Sequence, residues 1–379
     1  MKKIVINALS ALRGGGQTYI INFLKHLPQE KYQILLVVNS KNKKLFSTYI
    51  NKNITIYEAK SASKSIIHRF IWEQFELPKF LKSSDANIYY ASGGIMLTKM
   101  PKGIISATAL RNMLPFDERE RKRFPLVSYI RFKLWLLRFI FLSSYKRSDK
   151  IVFISEYSKS IVKEYLPNID KKSIVIPHGL NKQFLENKNT FNLPDGLEKN
   201  KFYLYVSILD VYKAQKEMIK EWKILKKENF SYPLVLVGPK YNEYGEEVVD
   251  LIKNENLEND IIYLGKVDYE KLPSLYKSSR ALIFASSCEC CPNILLEKLS
   301  ASKPILCSDI QPMPEFAEDA AVYFNPYKIG SLSKRIIELE KNEVQREELS
   351  KKAHNQALKF DWDETISKTI NYLIKKEGK

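Results

Sequence analysis

Residues 280–314 read RALIFASSCECCPNILLEKLSASKPILCSDIQPMP, and this stretch decides the fold. It begins with an apolar run of strand length at 281–285 and continues through a loop that contains Glu289. A helix carrying Glu297 follows, and a second apolar run at 304–307 returns as a strand. A strand, a loop, a helix and a further strand in this order form one unit of a parallel α/β sheet.

Two glutamates separated by seven residues, Glu289 and Glu297, occupy the loop and the helix of this unit. In an open parallel sheet, ligands bind outside the carboxyl ends of the strands, where backbone N–H groups and helix N-termini favour anions. Carboxylates suit neutral hydroxyls instead, because they accept hydrogen bonds. Acids beside N–H groups therefore predict a nucleotide sugar, and the alternative is that both glutamates are solvated surface acids.

The segment ECCPNILLEKLSASKPILCSD, with Ser300 and Ala301 and the later Pro314-Glu315, resembles the E-x7-E signature of family 4 retaining glycosyltransferases. The resemblance implies the GT-B architecture: an α/β chain with two Rossmann-like domains facing each other across a cleft. It also implies that Glu289 lies by the donor sugar and that Glu297 binds the ribose of the nucleotide. The donor would be a UDP- or GDP-linked sugar, and no cofactor is expected.

The alternation of strands and helices divides the chain into two α/β domains. A chain of 379 residues is long enough for two hydrophobic cores, and a polar stretch with Pro and Gly precedes the second run of strands. By the resemblance, the first domain binds the acceptor, the second binds the nucleotide sugar, and the last helix crosses back to the first domain. The predicted bounds are 1–180 for the first domain, 181–200 for a linker, 201–361 for the second domain and about 362–379 for the final helix.

Apolar runs and periodicities predict the elements of both domains. A helix is expected within 64–83, ending at about Pro78, and another over 119–147. The final segment, 344–379, is predicted as two helices with a break at 360–363. The predicted strands are 3–8, 32–39, 54–58, 86–91, 103–109, 150–153 and 173–177 in the first domain, and 202–206, 234–238, 261–267, 281–285 and 304–307 in the second.

The charge of the chain is concentrated in its first half. Residues 1–180 contain 31 Lys and Arg against 12 Asp and Glu, whereas residues 181–379 contain 30 against 31. A one-sided basic field attracts a polyanion, either nucleic acid or an anionic membrane. Because the chain shows none of the usual nucleic-acid-binding motifs, an anionic membrane surface is the predicted partner and nucleic acid is not.

The helix predicted over 119–147 combines apolar and basic residues. Seven apolar residues recur in it at helical spacing, and Arg and Lys lie among them: Leu126, Tyr129, Ile130, Leu134, Leu137, Ile140 and Phe141. Such a helix can lie at a membrane interface, with charges at the headgroups. The alternative is a helix buried in the domain, with solvated charges on its outer side.

Metal binding and membrane insertion are not expected from the sequence. The spacing of Cys288, Cys290 and Cys291 lacks the usual zinc knuckle, and Cys307 belongs to a strand, so buried free thiols in a reducing compartment are predicted. Asp361-x-Asp363 matches a metal-binding pattern, but acids are also favourable where a helix begins. The N-terminal run is too short for a signal peptide, and no run is long enough to span a bilayer. These features predict a cytoplasmic protein, peripheral to the membrane.

Further donor-site residues follow from the resemblance. Lys213, after a strand and a turn, matches the lysine that binds the donor diphosphate, whereas Ile208 stands where many members have arginine. Pro292 replaces a common glycine, so Asn293 is expected to donate in place of the missing N–H. The remaining expected donor-binding residues are Gly15, Gly16, Ser207, Gly238, Val267, Ile294 and Leu295.

Arg111, Asn112 and His178 are the candidates on the acceptor side. Family members often place a histidine near the transferred sugar, where this chain has Arg111 or its neighbour. Arg111 and Asn112 could bind sugar or phosphate in its stead, or cap the next helix. His178 stands where asparagine is common, and it either approaches the ligand or has a structural role.

The resemblance implies transfer of a hexose from a nucleotide sugar to a saccharide or lipid-linked acceptor, with retention of configuration and without metal. The basic first domain suggests assembly of an envelope polysaccharide, such as lipopolysaccharide or capsule. One alternative is a sugar-nucleotide 2-epimerase of similar architecture, which needs no acceptor. Another is a non-catalytic partner that retains the fold, because Ile208 and the missing histidine weaken the site.

Overall fold

The computed structural model describes residues 2–12, 14–28, 31–186, 192–194 and 196–375. The chain divides into two compact units, Met1–Gly179 with Asp361–Lys379 and Leu180–Phe360. The stretch 181–200, predicted as a linker, falls within the second unit, and its residues 187–191 and 195 lie outside the described residues. The end of the predicted final helix, 376–379, also lies outside them.

The first unit contains a parallel sheet of seven strands in the order β3-β2-β1-β4-β5-β6-β7. The order reverses between β1 and β4, as it does in doubly wound folds. Apolar side chains occupy both faces, because helices cover a parallel sheet on both sides. The strands are β1 (Lys2–Asn7), β2 (Tyr32–Val38), β3 (Ile54–Glu58), β4 (Ile88–Ala91), β5 (Ile105–Ala109), β6 (Lys150–Phe153) and β7 (Ser173–Val175).

The helices of the first unit differ from the prediction in two places. The helix expected to end at about Pro78 continues to Ser83, because proline is tolerated in the first turn of α4, and a π-helical stretch, Trp72–Glu76, precedes it. The helix predicted over 119–147 is two helices, with Pro125 in the turn between them. The helices are α1 (Gly15–Lys25), α2 (Lys43–Ser47), α3 (Ile66–Ile71), α4 (Leu77–Ser83), α5 (Glu118–Lys122), α6 (Tyr129–Arg147) and α7 (Glu156–Tyr165).

The second unit contains a parallel sheet of six strands in the order β10-β9-β8-β11-β12-β13. The strand expected over 261–267 ends at Tyr263, so Val267 lies in the following loop. The strands are β8 (Tyr203–Val206), β9 (Leu234–Val237), β10 (Ile261–Tyr263), β11 (Ala281–Phe284), β12 (Ile305–Ser308) and β13 (Val322–Phe324). The helices are α8 (Gln215–Lys227), α9 (Glu243–Asn254), α10 (Leu272–Ser278), α11 (Asn293–Leu299), α12 (Met313–Ala317), α13 (Ser331–Glu340) and α14 (Glu343–Ala357).

The last helix, α15 (Trp362–Ile374), packs in the core of the first unit, as predicted. It buries Trp362 and Ile366 among the residues of that core. The Nζ of Lys150, at the start of β6, donates to the carbonyl oxygen of Tyr372 at 2.6 Å and so caps the C-terminal end of α15. This hydrogen bond attaches the end of α15 to the sheet.

The predicted fold class is thus confirmed as two parallel α/β units. No helix in the described part of the chain combines the length and the hydropathy that crossing a bilayer requires.

Candidate functional site

The strand order of the second unit places its reversal between β8 and β11, which lie side by side in the sheet. From β8 the chain proceeds outward through β9 and β10, and from β11 it proceeds outward in the opposite direction. Ligands of open parallel sheets bind at such a reversal, outside the carboxyl ends of the two strands. The segments that follow β8 and β11 therefore define the candidate ligand-binding site.

The structure brings Lys213 and Glu289 together at this position. Lys213 ends a single 3-10 turn after β8, and Glu289 lies in the loop after β11. The Lys213 Nζ donates to Glu289 Oε1, and the Ser286 hydroxyl donates to the same oxygen at 2.8 Å. Two residues that are 76 positions apart in sequence therefore form one ion pair at the point where a ligand is expected.

The lysine of this pair remains charged although it is buried. Burial opposes the charge on Lys213, but the adjacent Glu289 carboxylate outweighs it, so the pKa of Lys213 lies above its usual value. The Tyr212 ring lies 4.7 Å from the Nζ and adds a favourable cation–π contact. The site therefore holds a fixed positive charge beside a carboxylate.

The turn that carries Lys213 is held by local hydrogen bonds. The Asp210 carboxylate accepts from the N–H of Val211 at 2.8 Å, which starts the 3-10 turn. Across the strand reversal, the N–H of Ser287 donates to the Tyr212 carbonyl oxygen at 2.8 Å. Ala214 follows with φ of 57°, a left-handed conformation that is strained for alanine. The backbone of the turn that carries Lys213 is thus held in one conformation by hydrogen bonds.

Lys298, which the sequence analysis did not single out, is fully buried between β8 and β11. Its Nζ donates to the carbonyl oxygen of Ile283 at 2.5 Å and to that of Val206 at 3.3 Å. Burial lowers the pKa of Lys298 well below its usual value. The only signal in the sequence was a lysine on the otherwise apolar face of α11, and periodicity alone does not distinguish it from a solvated residue.

Glu297, on α11, accepts hydrogen bonds from two tyrosines. The Tyr269 hydroxyl donates to one carboxylate oxygen at 2.9 Å, and the Tyr276 hydroxyl donates to the other at 3.3 Å. Burial raises the pKa of Glu297 to about 7, although both hydroxyls favour the ionised form. The Asn181 amide also donates to the Tyr269 hydroxyl, at 2.9 Å. The tyrosines were missed in the sequence because nothing in their spacing marks them.

The start of α11 carries three of the predicted donor-binding residues. Asn293 is its first residue, and its N–H donates to the Cys291 carbonyl oxygen at 3.0 Å. Ile294 is half-buried, and the side chain of Leu295 is fully buried in the unit. Asn293 and Ile294 therefore lie at the surface end of the helix, whereas the side chain of Leu295 serves packing.

Gly238 and Ser207 lie against each other where β8 and β9 end. The Ser207 N–H donates to the Val237 carbonyl oxygen at 2.9 Å. Gly238 has φ of 151°, and a Cβ at this position would lie 1.8 Å from the Ser207 carbonyl oxygen. This close approach explains the glycine without reference to a ligand. Val267 is half-buried in the loop after β10.

In the first unit the structure brings Arg111 and His178 together. The Arg111 guanidinium donates to His178 Nε2, to the Ser92 carbonyl oxygen at 2.9 Å and to the Tyr90 hydroxyl at 3.1 Å. Its carbon lies 3.4 Å from the centroid of the Tyr19 ring, over its face. Because a guanidinium has no acceptor, Nε2 of His178 must accept, which fixes the neutral tautomer with its proton on Nδ1.

The other predicted residues of the first unit are Asn112, Gly15 and Gly16. Asn112 is exposed, and its side-chain oxygen accepts from the Leu114 N–H at 3.2 Å, as in a local turn. Gly15 and Gly16 are the first two residues of α1, and Gly14 precedes them with φ of 60°. The backbone N–H groups at this end have no side-chain cap.

Nothing in the described residues gathers three His, Cys, Asp or Glu side chains as a metal site would. The thiols of all four cysteines are buried. In the Asp361-x-Asp363 pattern, Asp361 caps α15 by accepting from the Glu364 N–H at 2.9 Å. Asp363 pairs with His26, at 2.7 Å between Oδ1 and Nδ1. The two acids thus have structural partners at the start of a helix.

Two family models match the chain, one in each half. The model described as Glycosyltransferase Family 4 matches residues 13–184, and the model described as Glycosyl transferases group 1 matches residues 188–356. Together they span most of the sequence. The chain therefore belongs to the family 4 glycosyltransferases.

Two relatives that are named as O-antigen chain mannosyltransferases match part of the chain. O-antigen chain mannosyltransferase B of Escherichia coli is 28% identical over 172 residues, which is 45% of this chain and 45% of that protein. O-antigen chain mannosyltransferase RfbU of Salmonella typhimurium is 26% identical over 239 residues, 62% of each protein. The alignments thus span about half of one relative and three fifths of the other.

Solved structures show the same fold over the whole chain. A glycosyltransferase from Rickettsia africae aligns with a TM-score of 0.75 at 16% identity and covers 99% of both chains. Anabaena HepE, solved with UDP and glucose, aligns with a TM-score of 0.74 at 15% identity over 98% of this chain and 99% of that chain. These likenesses establish the GT-B glycosyltransferase fold.

Proposed function

We propose that the protein transfers a hexose from a nucleotide-sugar donor to a saccharide or lipid-linked acceptor, with retention of configuration and without a metal ion. The observation that carries the proposal is the pair of Lys213 and Glu289 at the ends of β8 and β11. A cation and a carboxylate at a strand reversal suit a ligand that has both phosphates and hydroxyls.

Three side chains of the candidate site have a role in this proposal: Lys213, Glu289 and Glu297. The Lys213 ammonium has three N–H donors and would stabilise the charge that develops on the departing diphosphate. Glu289 would accept hydrogen bonds from the sugar hydroxyls and so hold the anomeric carbon in position. Glu297 would accept hydrogen bonds from the ribose hydroxyls when it is ionised.

The comparisons support the choice of donor and acceptor class. HepE was solved with UDP and glucose, and two of the relatives are named as O-antigen chain mannosyltransferases. A UDP- or GDP-linked hexose is therefore the proposed donor, and an envelope polysaccharide precursor is the proposed acceptor. The excess of basic residues over 1–180 supports a peripheral location at the cytoplasmic face of an anionic membrane.

The test is turnover of UDP- and GDP-hexoses with wild type, Glu289→Gln and Lys213→Met, each followed as hydrolysis and as transfer to added acceptors. Loss of either group is expected to lower kcat by about 100-fold or more, because both act on the transition state. Lys223→Met is the matched control, since Lys223 forms an ion pair with Glu255 at the outer side of α8. Thermal unfolding of each variant excludes loss of the fold.

Three further readouts separate the finer parts of the proposal. The anomeric configuration of the product, measured by NMR, tests retention, and activity in the presence of EDTA tests metal independence. Conversion of the donor to its 2-epimer without an acceptor would instead indicate an epimerase. A wild-type protein that is inactive with every common donor would contradict the proposal and favour a non-catalytic partner.

A further inference from the structure

Helix α6 has two apolar faces, and only one of them is covered. Leu134, Phe141 and Tyr145 face the core of the first unit and are buried. On the other side, four large apolar side chains recur at i, i+3, i+7 and i+10 and are exposed to solvent: Tyr129, Phe132, Leu136 and Phe139. Because 3.6 residues make one turn, these four share one side of the helix.

Three aromatic residues of the exposed side form a continuous ridge. The ring centroids of Phe132 and Trp135 are 6.0 Å apart, and those of Trp135 and Phe139 are 4.5 Å apart. We call Phe132, Trp135 and Phe139 the aromatic ridge. The first pair is stacked and the second is edge-to-face, so the three rings form a contiguous apolar patch, and patches of this kind mark interaction sites.

The turn before α6 extends the apolar surface. Leu126 is 80% exposed and Val127 is 99% exposed, so neither side chain contributes to the core. Of the large apolar residues that are exposed in the described chain, eight lie within 126–139. Every protein surface carries exposed hydrophobic residues, but these are usually scattered singly and not grouped as they are here.

The surroundings of the ridge are strongly basic. The segment 118–147 contains nine Lys and Arg and only two Glu. Lys133 lies on the exposed side of α6 itself, and Lys146 and Arg147 are exposed at its C-terminal end. Such a charge favours a partner with anionic groups and disfavours a second copy of the same surface, which would bring like charges together.

We infer that the aromatic ridge, with Leu126 and Val127, inserts into the headgroup region of a bilayer that contains anionic phospholipids. Aromatic rings are suited to this depth, and the basic side chains around them reach the phosphates. The inference deepens the membrane location given under the proposed function, because it names the residues that make the contact. It does not depend on which sugar is transferred.

The chain contains its own reporter for this contact. It has four tryptophans, of which Trp72, Trp222 and Trp362 are buried and Trp135 is 44% exposed. Vesicles of phosphatidylglycerol and phosphatidylcholine should therefore shift the emission of Trp135 to shorter wavelength, and brominated lipids should quench it. The protein should bind vesicles of phosphatidylcholine alone more weakly, by about tenfold or more, because these vesicles lack anionic headgroups.

Phe132→Ser with Phe139→Ser removes two rings of the ridge and keeps Trp135 as the reporter. We expect this double variant to bind mixed vesicles more weakly than the wild type, by about tenfold or more, because it loses apolar area that enters the interface. The matched control is Val344→Ser with Leu358→Ser in the second unit, where the side chains are 77% and 56% exposed. This control should bind vesicles as the wild type does.

The inference fails if the wild type binds no vesicles, if the ridge variant binds as well as the wild type, or if Trp135 emission is unchanged on binding. Light scattering in the absence of lipid tests another occupant. If the wild type is a dimer and the ridge variant is a monomer, the surface belongs to a second copy of the chain instead. A thermal-shift titration of the same proteins with UDP and GDP separates the test of membrane binding from the test of the proposed function. A ridge variant that still binds nucleotide but not vesicles leaves the proposed donor site intact.

Discussion

The Lys298 Nζ donates to the carbonyl oxygen of Ile283 at 2.5 Å, in the interior of the second unit. Strands β8 and β11 are paired at Tyr203–Ala281 and Leu204–Leu282, so the carbonyl groups of Val206 and Ile283 lie beyond the paired part. Lys298 donates to both and so replaces the hydrogen bonds that the sheet does not make there. The ends of the two strands that lead to Lys213 and Glu289 are held by one side chain.

We expect the Lys298→Met variant to change the pH dependence of stability. Burial lowers the pKa of Lys298, so the unfolded chain binds one more proton than the folded chain between the lowered value and about 10.5. The stabilising contribution of Lys298 is fully present above the pKa that it has in the unfolded chain. It is lost as the pH falls through the lower pKa of the folded protein. The melting temperature of wild type minus that of the variant should therefore rise from pH 7 to pH 10. A constant difference would contradict the burial of an ionisable amine.

Glu297 should have the opposite dependence. Its pKa is raised from 4.5 to about 7, so its contribution is fully present below pH 4.5 and is lost as the pH rises through 7. Ionisation of this buried group costs about 3 kcal/mol in the free energy of unfolding. Urea unfolding at pH 4 to 8 should show wild type losing stability relative to Glu297→Gln over this range. Parallel curves for the two proteins would show that Glu297 titrates normally.

The ion pair between Lys213 and Glu289 should be strongly coupled in a double-mutant cycle. Lys213→Met leaves the half-buried Glu289 without its cation, and Glu289→Gln leaves the buried Lys213 without its anion, so each change is expected to cost about 1–3 kcal/mol. The double variant is expected to lose less than the sum of the single losses, with a coupling of about 1 kcal/mol or more. Additive losses in urea unfolding would show that the two side chains do not interact in solution.

Ala214→Gly should stabilise the protein. Ala214 has φ of 57°, and the left-handed conformation costs a non-glycine residue about 1–2 kcal/mol, part of which the freedom of glycine in the unfolded chain offsets. The expected gain is about 0.5–1 kcal/mol in urea unfolding. Ala353→Gly, inside α14, is the control and should destabilise by about 1 kcal/mol or more. A loss of stability in Ala214→Gly would contradict the strained turn.

The sequence was sufficient to place Lys213 and Glu289 after strands, and the structure brings their side chains together. Apolar runs predicted β8 and β11, and the polar residues after them fall at the same edge of a parallel sheet. The same reasoning did not find Lys298 or Tyr269. A lysine next to a glutamate on a short helix is usually solvated, and only the packing of α11 against the ends of β8 and β11 buries Lys298.

The paired faces of α6 show a second limit of periodicity. In the sequence, Leu126, Tyr129 and Ile130 form one apolar set at helical spacing with Leu134 and Phe141. The structure buries Leu134 and Phe141 but leaves the other three exposed, so the set does not form one buried face. When both sides of a helix are apolar, the sequence predicts the helix but does not decide which side meets the core.

The sequence by itself determined the α/β class, the parallel strands and the two glutamates after β11, because local propensity and hydrophobic period act over a few neighbouring residues. Tertiary structure alone decided that Lys213 meets Glu289, that Arg111 meets His178 and that Lys298 is buried. These contacts join residues far apart in the chain, and their pairing depends on strand order and on the burial of charge, which no local pattern encodes.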